Sequence, residues 1–91
     1  MSLQKISGIN ELNSIKSIKD KLIIIDFYAD FCNPCKQIEP KIDDLSQEDQ
    51  YMENCYFYKV NIEEEEEIAQ EFGIERIPTF KLLKNSKILD S

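Results

Sequence analysis

Apolar positions change their spacing several times along the chain, and each spacing marks a different kind of element. In residues 8–19, Ile9, Leu12, Ile15 and Ile18 recur at three-residue intervals, which predicts a helix with one apolar stripe. Residues 21–29 contain the run Leu22-Ile23-Ile24-Ile25, followed by Asp26-Phe27-Tyr28. A continuous β-branched run of this length reads as a central strand covered on both faces, the habit of parallel sheets flanked by helices. After it, Ile38, Ile42 and Leu45 stand four and three apart with charged residues between them, predicting a second helix over 34–50. Residues 55–62, rich in aromatic and β-branched side chains, read as another strand. A short helix over 64–72 ends where Gly73 supplies a stop, and 79–83 with 87–89 form a hairpin about Asn85-Ser86.

Allowing 3–6 a short opening strand, the order is βαβαβαββ. That order predicts an α/β sandwich of three layers around a central mixed sheet. Three strands run parallel through right-handed crossovers, antiparallel strands join at one edge, and helices lie on both faces. With no internal repeat and no linker, residues 1–91 form a single domain. At this length folding hides only about 60 to 65% of the unfolded chain's surface, so the core is thin. The 42% hydrophobic content and only two Gly nevertheless mark an ordered chain.

Charge removes some functions. A net charge of -7, with ten Lys and one Arg scattered along the chain, argues against nucleic acid, whose phosphates draw on clustered cations. The longest apolar run, 22–25, is far short of the ~20 residues a bilayer requires, and no apolar stretch follows Met1 as in a signal peptide. A protein without membrane contact, located in the cytoplasm, is the expectation. Met1-Ser2-Leu3 reads equally well as a vector-derived start on a piece of a longer protein, which would leave the compartment open. Three Cys and no His are too few for a structural zinc site, which needs about four ligands, so no metal is expected. The odd count also argues against a secreted disulfide framework and leaves one close pair plus Cys55, a pattern that points to redox chemistry.

The pair is Cys32 and Cys35, within Phe31-Cys32-Asn33-Pro34-Cys35-Lys36, at the junction of the predicted central strand and second helix. Unpaired N–H groups and the dipole at a helix start favour an anion, so Cys32 is the expected thiolate and nucleophile, its sulfur exposed. Cys35, one turn deeper, is placed to attack the resulting mixed disulfide. Pro34 fits the first helical turn because it gives up no needed N–H. Two Cys three apart on a helix can also be ordinary buried small side chains; the strand-to-helix context favours the redox reading.

Residues 25–36, Ile25-Asp26-Phe27-Tyr28-Ala29-Asp30-Phe31-Cys32-Asn33-Pro34-Cys35-Lys36, resemble the active-site segment of thioredoxins. Pro40, Lys59-Val60-Asn61-Ile62, Phe72-Gly73-Ile74 and Arg76-Ile77-Pro78-Thr79 are similar to the family's later landmarks, in order and spacing, over nearly the whole chain. Two departures stand out: Tyr28 and Phe31 replace the common Trp residues, and Asn33 replaces the common Gly between the cysteines.

The resemblance implies roles for further residues. Asp26, on a strand where an unpaired carboxylate is costly, is implied to be the acid/base group beneath Cys35, with Lys59 as its charge partner; the alternative places Asp26 at a strand end facing solvent. Ile77-Pro78 is implied to be the cis-proline loop lying against the dithiol. Tyr28, Phe31, Ile77 and Pro78 then form an apolar rim around Cys32 and, with Asn33 and Pro34, face extended Cys-containing segments of substrate proteins. The acids of 63–67 are expected to be a solvated helix start, and Cys55 a packed small side chain.

Thioredoxins continue past the final hairpin with a closing helix, whereas this sequence stops at Asp90-Ser91. One sheet face is expected to be under-covered, and a dimer through that face is expected. The activity implied is protein-disulfide reduction through a reversible Cys32/Cys35 couple, with no bound cofactor, recharged by a thioredoxin reductase or an equivalent donor. An oxidase or isomerase module of a longer protein, and a non-catalytic binding module, are the alternatives.

Overall fold

The central strand runs as expected, and its two faces have different fates. The structure, a computed structural model, describes residues 3–89; Met1, Ser2 and the Asp90-Ser91 end invoked for a missing closing helix lie outside the described residues. The elements are β1 (Leu3–Lys5), α1 (Ile9–Lys16), β2 (Leu22–Tyr28), α2 (Asn33–Ser46), α3 (Asp49–Met52), β3 (Cys55–Asn61), α4 (Glu66–Glu71), β4 (Thr79–Lys84) and β5 (Lys87–Ile88). They form one mixed sheet in the order β1-β3-β2-β4-β5. β3 pairs parallel with both β1 and β2, while β4 runs antiparallel to β2, and β5 to β4.

Along β2, Ile23, Ile25 and Phe27 point to one side and are at most 2% exposed. There they meet Leu12 and Ile15 of α1, Val60, Leu83, and Ile68 and Phe72 at α4, forming the hydrophobic core. Phe27 and Phe72 pack with ring centroids 5.3 Å apart at a tilt of 55°. Each large side chain fully buried in this way stabilises the fold by about 1.5–3 kcal/mol. On the other side of the sheet, under α2, Leu22, Ile24, Phe80 and Leu82 remain half-buried, as do Ile38 and Ile42 of α2, and Leu45 is exposed. The α2 side is the thinner of the two.

Two helix boundaries differ from expectation for local reasons. α1 ends at Lys16, where the Ser17 hydroxyl donates to the Ser14 carbonyl oxygen at 2.7 Å; Ile18, beyond the helix, still packs against the core. The helix expected over 34–50 is broken: Ser46 Oγ donates to the Asp43 carbonyl oxygen at 2.6 Å, Gln47 closes α2, and Glu48 is extended at φ -75°, ψ 138° before α3 begins. Hydroxyl back-bonding of this kind competes with continuation of the helix. Pro40 lies inside α2.

Two turns follow their residues closely. Gly73, at φ 63°, ends α4 with its N–H donating to Gln70 O and that of Ile74 to Ala69 O, both at 3.0 Å. This is the paired arrangement that a left-handed residue after a helix permits, and glycine adopts it with least strain. Asn85 and Ser86, at φ 52° and 71°, make the tight turn between β4 and β5.

The acidic stretch is only partly a solvated face. Glu65 accepts the Gly8 N–H at 3.1 Å, Glu64 pairs with Lys5 at 2.6 Å, and Glu71 pairs with Lys16 at 2.7 Å. These contacts tie the α4 region to β1 and α1. Buried Asn61 shapes the approach to α4, its Oδ1 accepting the N–H groups of Glu63 and Glu64 at 2.9 and 3.3 Å.

Candidate active site

The central strand delivers its C-terminal end directly to the dithiol. Beyond β2, Ala29 is buried and its carbonyl oxygen accepts the Cys32 N–H at 3.1 Å, bending the chain into α2. Cys32 is the N-cap, extended at φ -86°, ψ 102°, and Asn33 and Pro34 are the first two helical residues. The Cys35 N–H, one of the donors that a helix start leaves unpaired, donates to Cys32 Sγ at 3.2 Å. Backbone donor and helix dipole together favour a thiolate at Cys32.

Cys32 and Cys35 are joined in a disulfide, with Cα atoms 5.3 Å apart. Cys32 is 6% exposed and Cys35 3%, so in this oxidised state the first sulfur is not the open one expected. It is turned toward Cys35 and the backbone donor of the helix. Phe31 beside it is 68% exposed, and Asn33 and Pro34 are exposed.

The Ile77-Pro78 peptide is cis, and both residues are half-buried. Thr79 opens β4 in register with Phe27, which brings this loop to the dithiol end of the sheet. Pro78, Pro34, Gln37, Ile38 and Lys41 line a groove of about 290 Å³ beside the first turns of α2. Tyr28 departs from the expected rim: it lines a separate cavity of about 220 Å³ with Asp30, Cys35, Lys36, Glu39 and Lys59. β2 alternation explains this, because Tyr28 shares the α2 side of the strand with Asp26.

Asp26 is 1% exposed, not solvent-facing at a strand end, and neither carboxylate oxygen has a hydrogen-bond partner among the described residues. Burial pushes its carboxyl up to about 6; the Glu39 carboxylate adds to the rise, and the Lys59 ammonium opposes it. Lys59, in register with Asp26 on β3, is its charge partner as expected, but acts through space, since no hydrogen bond joins the two. Its ammonium is held by Glu39 Oε2 at 3.2 Å and stands 5.5 Å from the centre of the Tyr28 ring. Glu39 is the member that the motif reading missed. Its signal was its place four residues after Cys35, on the same face of a helix. Cys55, a half-buried free thiol at the start of β3, stands apart in register with Leu22.

A cysteine pair at a helix start, able to pass between dithiol and disulfide, stands at the same end of the sheet as a groove and a buried carboxyl. The thioredoxin family model matches residues 6–91, and the chain belongs to that family. Thioredoxin-T of Drosophila melanogaster is 44% identical over 72 residues, covering 79% of this chain and 45% of that protein. Thioredoxin H4 of Arabidopsis thaliana is 41% identical over 71 residues, 78% of this chain and 58% of that protein. The match thus spans about half the length of these two relatives. The crystal structure of Malassezia sympodialis thioredoxin superposes with a TM-score of 0.90 at 38% identity, covering 98% of this chain and 76% of that one.

Proposed function

We propose that this protein reduces disulfide bonds in other proteins. The Cys32 thiolate attacks one sulfur of a substrate disulfide, forming a mixed disulfide and releasing the other sulfur as a thiolate. Cys35 then gives its proton to Asp26 and attacks Cys32 Sγ, freeing the second substrate thiolate and leaving the Cys32–Cys35 disulfide. Two electrons pass from the dithiol to the substrate, and a disulfide reductase of the thioredoxin-reductase class restores them. The cycle requires no bound metal or organic cofactor.

The observation that carries this reading is the Cys35 N–H aimed at Cys32 Sγ, which stabilises the attacking thiolate. An Asp26 carboxyl pushed up to about 6 is mostly ionised at neutral pH yet remains a competent proton acceptor. Phe31, Asn33, Pro34, Ile77 and Pro78 form the surface on which an extended substrate segment lies. The reducing cytoplasm is the compartment that suits this direction of electron flow. The half-covered α2 side is where a second copy would pack; a sedimentation coefficient constant across a wide concentration range counts against that dimer.

Insulin-disulfide reduction tests the cycle. Cys32→Ser is expected to abolish turnover, while Cys35→Ser accumulates a covalent mixed disulfide with substrate. Unimpaired turnover by Cys32→Ser sinks the mechanism.

A further inference from the structure

The β2–β3 register sets Asp26 beside Lys59 on neighbouring strands, both on the side facing α2. Neighbouring strands lie about 4.8 Å apart, well within reach of a lysine stem, so a buried carboxylate and this ammonium have every geometric opportunity to pair. They do not. Glu39, on α2, takes the ammonium at 3.2 Å, and the Tyr28 ring supports it from 5.5 Å. Both Asp26 oxygens are left without a hydrogen-bond partner among the described residues. The cavity lined by Cys35, Glu39, Lys59 and Tyr28 adjoins this arrangement.

We propose that Glu39 is a positioning residue for the Cys35 step: it holds Lys59 at the cavity wall and so keeps the Asp26 carboxyl unpaired and free to exchange a proton. This rests on the reading of Asp26 as the proton acceptor. A carboxylate locked in an ion pair has a weak hold on a proton and is a poor base for a thiol, whereas one poised near ambient pH is a good one. Glu39 acts in two ways in the same direction, by adding a negative charge near Asp26 and by removing a positive one from it.

The other groups facing Asp26 do not duplicate this role. The charges that act on Asp26 are those of Glu39 and Lys59; Cys35 and Lys36 of α2, and Tyr28 and Asp30 at the end of β2, line the adjoining cavity. Lys5 of β1 lies one strand further out, in register with Lys59, and is paired with Glu64, while β4 places the uncharged Phe80 in register with Asp26.

Carbon-13 NMR titration of the Asp26 carboxyl in the oxidised protein tests the proposal. Glu39→Gln is expected to lower its midpoint by about one pH unit, since the repulsion is lost and Lys59 is released toward Asp26. In a Lys59→Met background, the same substitution is expected to shift the midpoint by less than half as much, because only the direct repulsion remains. A midpoint that Glu39→Gln leaves unchanged or raises overturns the proposal, as does a shift equally large without Lys59. The reading beneath it fails separately: if Asp26→Asn resolves a preformed mixed disulfide at the wild-type rate, Asp26 is not the acceptor, whatever the titration shows.

Discussion

Replacing Asp26 by Asn should stabilise the oxidised protein, but only where the native carboxyl would be ionised. Burial raises this group from 3.8 to about 6, so the folded state binds the proton more tightly than the unfolded chain does. The stability this confers is fully present below about pH 4 and is lost as pH rises through about 6, above which the penalty is constant. A displacement of about 2 pH units corresponds to about 3 kcal/mol at neutral pH. Asn carries no charge at any pH, though like the protonated acid it is a polar group that finds no hydrogen-bond partner among the described residues. Its advantage over Asp should therefore be small near pH 4 and grow to about 3 kcal/mol by about pH 7. Urea denaturation of both proteins across this range, with the disulfide intact, measures the difference directly. The remaining acids titrate in both proteins and cancel. An offset between the two proteins that does not change with pH would refute the argument, since it would show that Asp26 ionises as easily inside the fold as outside it.

Gly73→Ala should cost about 1–2 kcal/mol in denaturant unfolding, from backbone strain alone. A Cβ there meets nothing within 4 Å, while φ is 63°; Gly73→Asn should cost less, because Asn tolerates that conformation. Phe31→Ser should leave stability within about 0.5 kcal/mol, because the ring is already exposed, while raising KM for a protein disulfide more than for a small aromatic disulfide. An equal rise for both substrates would remove Phe31 from the docking surface.

Much of the sheet was legible because the responsible signals are local. The run from Leu22 to Tyr28 admits one element, Gly73 stops a helix by its own conformational freedom, and Asn85-Ser86 adopt the φ values of a hairpin turn. The break after Ser46 was not legible, since it depends on a hydroxyl choosing the Asp43 carbonyl oxygen and on an extended Glu48. At the site, Asp26 announced itself by the cost of a carboxylate among apolar neighbours. The partner of Lys59 did not, because only the docking of α2 onto the sheet brings Glu39 across to β3. Tyr28 was misplaced for a related reason: closeness to Cys32 along the chain suggested the rim, whereas strand alternation sends its ring to the Lys59 side.

The unequal faces of β2 make it a strand with two separable sensitivities. Ile23, Ile25 and Phe27 enter the closed core, whereas Ile24, Asp26 and Tyr28 look toward the redox helix. In a saturation library scored both for cellular abundance and for turnover, the first set should be governed by abundance and the second by turnover per molecule. The two traits would alternate residue by residue along seven positions. Selection on turnover then falls on the α2 side of the strand, and at Asp26 it also carries the stability change that loss of the buried charge brings.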